Sequence, residues 1–210
     1  RFITIKDIEF KEVKEVKNYS VNKYEKGTDS IDSNILNESK REKEFIGKIY
    51  EWTGYNKMEL LYRGTRDGMT SNSFHKKCDG KGKTITLIKN EKGYIFGGYA
   101  SISWNSSNGS YCSSPDSFLF TLTNIYNTNP TKFRSINNNR EIYHHYNNGP
   151  VFGGEIDLGL YNDFLNSQSI AKFPDTYQDI LRKGKSIFTG NSNNNINTFK
   201  IKEIEVFKIS

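Results

Sequence analysis

Thr84-Ile-Thr-Leu-Ile-Lys-Asn-Glu-Lys-Gly-Tyr-Ile-Phe-Gly-Gly-Tyr99 is the stretch on which the fold turns. Two runs of strand length, Thr84–Lys89 and Tyr94–Tyr99, are dense in β-branched and aromatic residues. Between them Asn90-Glu-Lys-Gly93 supplies a turn in which glycine accepts a positive φ, the pattern of a β-hairpin. Working outward, Ser117-Phe-Leu-Phe-Thr-Leu-Thr123 is a third apolar run of strand length, and Glu59–Arg63 a fourth. Phe199-Lys-Ile-Lys-Glu-Ile-Glu-Val-Phe-Lys-Ile209 alternates strictly and then shifts phase near Glu203-Ile204. One such break predicts a bulge or a change of covering layer. Glu141–His145, Val151–Phe152, Asp157–Tyr161 and Ile187–Phe188 are weaker strand candidates.

Two segments follow a helical period instead. Ile46, Ile49 and Tyr50, flanked by Phe45 and Trp52, fall on one face. Asn37 is a candidate cap, Ser39-x-x-Glu42 competes as a capping box, and Gly54 ends the helix. Arg66-Asp67-Gly68 reads as a turn, and Thr70 then caps a short helix that buries Phe74 and Cys78 at i and i+4 before Asp79-Gly80 stops it. Many short strands and two main helices predict an α+β, mainly β fold: an antiparallel β-sandwich of two sheets with the helices packed on it. The Asn- and Ser-rich stretches 105–116, 127–140 and 190–198 read as mobile loops. Residues 1–32 form an N-terminal extension with short strands at Ile3–Ile5 and Ile8–Phe10, and 33–210 form the domain proper.

Composition narrows the function classes. The 210 residues are 34% hydrophobic and 26% charged, and a domain of this length buries roughly 70% of its unfolded surface. No stretch approaches the roughly 20 apolar residues of a membrane span, so no membrane insertion is expected. The start, Arg1-Phe-Ile-Thr-Ile-Lys-Asp7, lacks the apolar run of a secretory signal. Cys78 and Cys112 cannot build a disulfide framework, which fits a reduced, cytoplasmic protein. Lys and Arg number 30 against 24 acids, an excess that admits an anionic partner without requiring one. The basic residues gather at Lys76, Lys77, Lys81 and Lys83, and again at Arg182, Lys183 and Lys185.

The chemical motifs are mostly false starts. Gly82-Lys83-Thr84 ends like a phosphate loop, but the motif needs glycine where Lys77 stands and a helix where a strand follows. His75-x-x-Cys78 has half a zinc site's spacing, and His144 with His145 on one strand point to opposite faces. No metal and no cofactor are expected, and no catalytic constellation is legible, so the chain does not read as an enzyme. Cys78 suits a core position and is oxidation-sensitive only where exposed. Arg63, Arg66 and Asp67 around one turn suit an internal ion network pinning strand to helix. With Lys76, Lys77, Lys81 and Lys83 they are also the candidate partner-binding residues. Phe74, Phe96, Gly97, Trp104, Phe118, Phe120 and Gly153 are expected as structural anchors.

In order, Leu60-Leu-Tyr-Arg-Gly-Thr-Arg-Asp-Gly68, Ser73-Phe-His-Lys-Lys-Cys-Asp79, Thr84–Lys89 and Tyr94-Ile-Phe-Gly-Gly-Tyr99 resemble a TLDc domain. Trp104, Asp116-Ser-Phe-Leu-Phe120, Gly149-Pro-Val-Phe-Gly-Gly154 and Lys202–Phe207 continue the series, so the resemblance runs from Ser33 to Ile209. Its flavour is that of protist and fungal members, in which the domain often ends a longer chain with other modules. Lys83 departs from the Pro that many relatives carry there, and 127–148 is unusually rich in Asn. The resemblance implies a β-sandwich with two helices, a part in oxidative-stress protection and, for several members, binding and regulation of the vacuolar proton-pumping ATPase. An anion- or nucleic-acid-binding module using Lys76 to Lys83 is the alternative, and a redox-active thiol protein is a third reading.

Overall fold

The computed structural model describes residues 31–136, 139–193 and 195–210, so the expected strands at Ile3–Ile5 and Ile8–Phe10 lie outside the described residues. The hairpin forms as its residues dictate. β2 (Thr84–Asn90) and β3 (Ile95–Ala100) pair antiparallel, and Gly93, at φ +85°, donates to the Asn90 carbonyl. The last segment, β12 (Ile201–Ile209), pairs with β2 on one side and with β1 (Met58–Arg63) on the other. β5 (Phe118–Thr121) and β6 (Thr131–Arg134) complete a six-stranded sheet in the order β1-β12-β2-β3-β5-β6. The second six-stranded sheet contains β4 (Asn108–Cys112), β7 (Ile142–His145), β8 (Asn148–Phe152), β9 (Leu158–Tyr161), β10 (Ser169–Ile170) and β11 (Thr198–Phe199). Its order is β11-β10-β9-β8-β7-β4. The sandwich of antiparallel sheets expected from the pattern is the observed fold.

The first sheet is covered on both faces. Tyr62, Ile88, Phe96, Leu119, Phe133, Ile204 and Val206 share a core with Phe152, Leu158 and Leu160 of the second sheet. Leu87, Ile95, Phe118, Phe120 and Phe207 share the other core with Ile35 and Leu36 of α1 (Asn34–Asn37) and Phe45, Ile46 and Ile49 of α2 (Glu42–Thr53). This explains the broken alternation in β12. A register shift between Ile201 and Glu203 moves Ile204 and Val206 into the core between the sheets and turns Phe207 and Ile209 toward α1 and α2. The expected bulge and a second covering layer are therefore both present.

The remaining helices fill gaps. α3 (Gly64–Asp67) is a single turn, and α4 (Ser71–Cys78), capped by Thr70, packs on β1 and β8 and so bridges the two sheets. Phe74 and Cys78 are buried on its inner face. α5 (Ser186–Thr189) sets Phe188 against Phe96, Phe133 and Phe173. No helix among the described residues is long and apolar enough to cross a membrane.

Several local expectations need correction. Ile187–Phe188 is helical because its two apolar residues fill one turn between the sheets rather than pair with a strand. The stretch 105–116 contains β4 and 127–140 contains β6, both edge strands whose ladders come from β7 and β5 rather than from their own polar composition. The stretch 190–198 runs into β11. Asn37, the candidate cap for the helix of Phe45 to Trp52, instead ends α1, a separate turn that Ser33 caps. No side chain caps α2: Ser39 Oγ accepts from Arg41 N instead of from the third helical residue. The expected turn at Arg66-Asp67-Gly68 is the end of α3, which Gly68 terminates at φ +107°.

Two glycines are fixed by contact. A Cβ on Gly97 would overlap the Thr86 carbonyl in the adjacent strand, and one on Gly153, at φ +88°, would overlap the Asp157 carboxyl. Trp104 sits at the junction of α4 and both sheets, 1% exposed, with Nε1 donating to Thr84 Oγ1 at 2.9 Å. Phe74, His144 and Phe152 meet its ring edge-on at 5.5–5.7 Å between centroids. Trp104→Ala removes this packing and orphans the Thr84 hydroxyl, so chemical denaturation should show a loss of roughly 3–5 kcal/mol. An unchanged unfolding midpoint would refute the anchoring role.

Candidate functional site

The candidate residues converge on the corner where β1 turns through α3 into α4. Arg63 ends β1 with its guanidinium pointed into the protein. Nε donates to Glu205 Oε1 at 2.7 Å, and Nη2 donates to the Asp32 backbone carbonyl and carboxylate at 2.8 and 2.7 Å. Glu205 is fully buried and also accepts from Ser33 Oγ at 2.6 Å and Asn34 N at 2.8 Å. Burial works against the charge on Arg63, but its bonds to Asp32 and Glu205 outweigh it and raise the guanidinium pKa further. Two residues before Glu205 in β12, Glu203 accepts from Thr65 N and Thr65 Oγ1 at the start of α3.

Asp67 ties the same corner together from outside. It accepts from Arg63 N at 3.0 Å and from Arg66 Nη2 at 2.7 Å, and lies 3.4 Å from Lys77 Nζ. The Arg66 hydrogen bond, helped by the Arg63 amide and by Lys77, holds the Asp67 carboxyl down at about 2. The internal network read from the sequence is thus present, with Arg63 buried and Arg66 half in solvent. Lys76 and Lys81 are exposed and have no acid partner among the described residues. Lys83 leaves the cluster: its ammonium lies 4.9 Å above the Tyr55 ring and donates to that hydroxyl.

The reactive side chains are committed to structure. Cys78 is fully buried, and burial, with Asp79 and Asp67 nearby, pushes its thiol well above the usual range. Its condition for oxidation sensitivity, exposure, is not met. Cys112 is half-buried on β4. His75 Nδ1 faces Asp79 Oδ1 at 2.8 Å, and Nε2 faces the His145 and Asn148 carbonyls at 3.1 and 2.9 Å, linking α4 to the β7–β8 turn. Ser106 donates to the other Asp79 oxygen. His144 and His145 do point to opposite faces: His144 is buried beside Trp104, and its pKa is lowered by that burial. Among the described residues no group of three His, Cys, Asp or Glu is placed to hold a metal ion.

Two things escaped the sequence reading. The buried carboxylates of Glu203 and Glu205 could have been suspected from acids standing in an otherwise apolar central strand. Lys132 and Arg134 lay hidden in an Asn-rich segment, although Thr131-Lys-Phe-Arg134 has strand period, with both cations on one face and Phe133 on the other.

Asp157 carries another fully buried carboxyl. It accepts from Asp175 N at 2.5 Å and Thr176 N at 2.8 Å. Burial nevertheless pushes its pKa up to about 7 against the opposing pull of those amides.

Two predictions follow from these geometries. Arg63→Met leaves Glu205 charged, buried and short of its cation, which costs about 3–5 kcal/mol. The double variant Arg63→Met, Glu205→Gln should recover much of that loss in the same denaturation assay, and no recovery would mean the pair is not the source. For Asp157 the folded pKa lies above the unfolded value of about 3.9, so the folded state holds the extra proton. Its stability contribution is complete below about pH 4 and declines as pH rises to about 7. Unfolding free energy measured between pH 4 and 8 should lose this decline in Asp157→Asn; an identical profile would contradict it.

No curated protein matches the chain. The family model described as the TLDc domain matches residues 30–210, nearly the whole sequence and every element of the sandwich. The chain belongs to the TLDc domain family.

Proposed function

We propose that this domain works by contact rather than turnover, binding and regulating the vacuolar proton-pumping ATPase and thereby supporting protection from oxidative stress. Membership of the TLDc family across residues 30–210 carries this reading. The geometry supports it in two ways. Cys78 and His75, the side chains best suited to chemistry, are buried and occupied with packing and internal hydrogen bonds. The exposed side of the β1–α4 corner instead sets Arg66 and Lys77 against Asp67, and such internally paired charge favours a specific protein surface over a uniform polyanion. The cytoplasm is the compartment in which such a contact would form.

One observation favours a second reading. Lys76 and Lys81 are exposed without acid partners among the described residues, as a phosphate-contacting patch requires. The two readings separate in one experiment. A stable protein interface buries roughly 1,200–2,000 Å², more than four lysines cover. Changing Lys76, Lys77, Lys81 and Lys83 to Ser should therefore weaken retention of purified vacuolar ATPase only partly. Nucleic-acid binding should be weak in the parent and steeply salt-dependent where it occurs. Failure to retain any ATPase subunit, with tight nucleic-acid binding that the variant abolishes, would overturn the proposal.

A further inference from the structure

A cleft of about 380 Å³ opens beside the C-terminal end of α2, between the approach to β2 and the β5–β6 edge of the first sheet. That volume falls in the range of small-molecule sites, roughly 300–1,000 Å³. Its walls are aromatic and its charge is lopsided. Three cations, Lys83, Lys132 and Arg134, line it against a single acid, Asp116. They come from two separate parts of the chain and are joined by a continuous row of rings. Lys83 lies over Tyr55, and Tyr55 neighbours Tyr99. The Tyr99 ring is 5.0 Å from that of Phe118, and Lys132 Nζ lies 5.0 Å above the Phe118 ring. Arg134 stands directly across the ladder from Phe118.

These cations are poorly neutralised. Lys132 is half-buried, and its ammonium has one long hydrogen bond, to the Trp52 carbonyl at 3.4 Å. Burial, and then the like charge of Arg134, pull its pKa below the usual lysine range. The Arg134 guanidinium has neither an ion pair nor a hydrogen bond among the described residues, although its backbone carbonyl accepts from Gln178 N, and Asp116 pairs with neither cation. The Lys83 donor goes to a phenol, not a carboxylate. Two cations without an ion pair, two residues apart on one strand face, repel each other. A dianion between them reverses its sign. An arginine beside two lysines suits phosphate, which a guanidinium grips through two parallel bonds. The cleft is larger than a bare ion needs, which selects an ester over inorganic phosphate.

We propose that this cleft binds a small phosphate ester, with Lys132 and Arg134 holding the phosphoryl oxygens, Lys83 closing the opposite side, and Trp52, Tyr55 and Tyr99 walling the ester's body. The inference is independent of the ATPase reading and uses none of Lys76, Lys77 or Lys81.

Titration calorimetry on the full 210-residue chain at low salt tests it, with adenosine monophosphate, glycerol phosphate, inorganic phosphate and adenosine as probes. At least one ester should bind saturably with Kd below about 1 mM, at least about tenfold tighter than inorganic phosphate, and adenosine should not bind. Lys132→Gln with Arg134→Gln should weaken the ester at least about tenfold, a loss of about 1.4 kcal/mol. Lys76→Ser with Lys77→Ser should leave it unchanged. Arg134→Gln alone, at an exposed side chain, gives the same reading should the double variant not fold. No saturation by either ester, equal affinity for the esters and inorganic phosphate, or loss of binding through Lys76 and Lys77 would each overturn the proposal.

Discussion

The fully buried carboxylate of Glu205 is the constraint around which the first sheet is organised. It stands in β12, the strand that joins β1 to β2, where a charge would be expensive without partners. Three donors from two distant parts of the chain, Ser33 Oγ, Asn34 N and Arg63 Nε, close around it. The same group therefore fixes where β1 ends, where α1 begins and which face of the sheet α1 covers. A hydrophobic residue in its place would bury as well, but it would not specify that Ser33, Asn34 and Arg63 meet at one point. Such buried ion pairs are weak sources of net stability. The structural consequence here is positional: the corner that carries Arg66, Asp67 and the α4 lysines is held on a charged pivot.

Legibility in the sequence followed the length of each pattern and the number of layers that acted on it. The hairpin at Thr84–Tyr99 was readable because turn chemistry and strand composition agree within sixteen consecutive residues. The phase break near Glu203-Ile204 was readable as a break, but its cause needed the third dimension, since α1 and α2 cover a face that a simple sandwich leaves to solvent. Edge strands failed for the opposite reason. β4 and β6 have few apolar residues, and their order is borrowed from β7 and β5, so the only local signal, the four-residue alternation of Thr131–Arg134, is too short to separate them from the Asn-rich loops around them. Ile187–Phe188 shows the limit of short apolar runs, which fit a strand or one helical turn equally well until a neighbour decides.

The candidate site divided along the same line. Arg63, Arg66 and Asp67 lie within five residues of one another, so their network was visible as a cluster. The lysine cluster, spread over eight residues, comes apart in space because the chain turns at Asp79-Gly80 and Lys83 leads into β2, away from α4. Proximity in sequence thus predicted an ion network inside one turn and misled across a helix end. His75 was singled out for its spacing to Cys78, yet its contacts are with Asp79 and with carbonyls 70 and 73 residues away. Asp79 follows the i,i+4 spacing of a helix, but no spacing rule encodes the two carbonyls.

β6 answers two demands with one pattern. As the last strand of its sheet it has an outer edge that residues 176–178 meet only at its C-terminal end, where Gln178 N donates to the Arg134 carbonyl, and charged residues on such a strand discourage another chain from adding to the rest. Alternation sends Phe133 into the core between the sheets and leaves Lys132 and Arg134 on the opposite face. Edge protection alone would be met by any charges along the strand, and is met best where water solvates them fully. Lys132 is instead half-buried, set over the Phe118 ring and placed beside a second cation, an arrangement that raises the cost of its charge. A protective edge has no use for that cost. A site that must attract and hold an anion does, because the repulsion between two neighbouring cations, one of them half-buried, is relieved when the anion arrives.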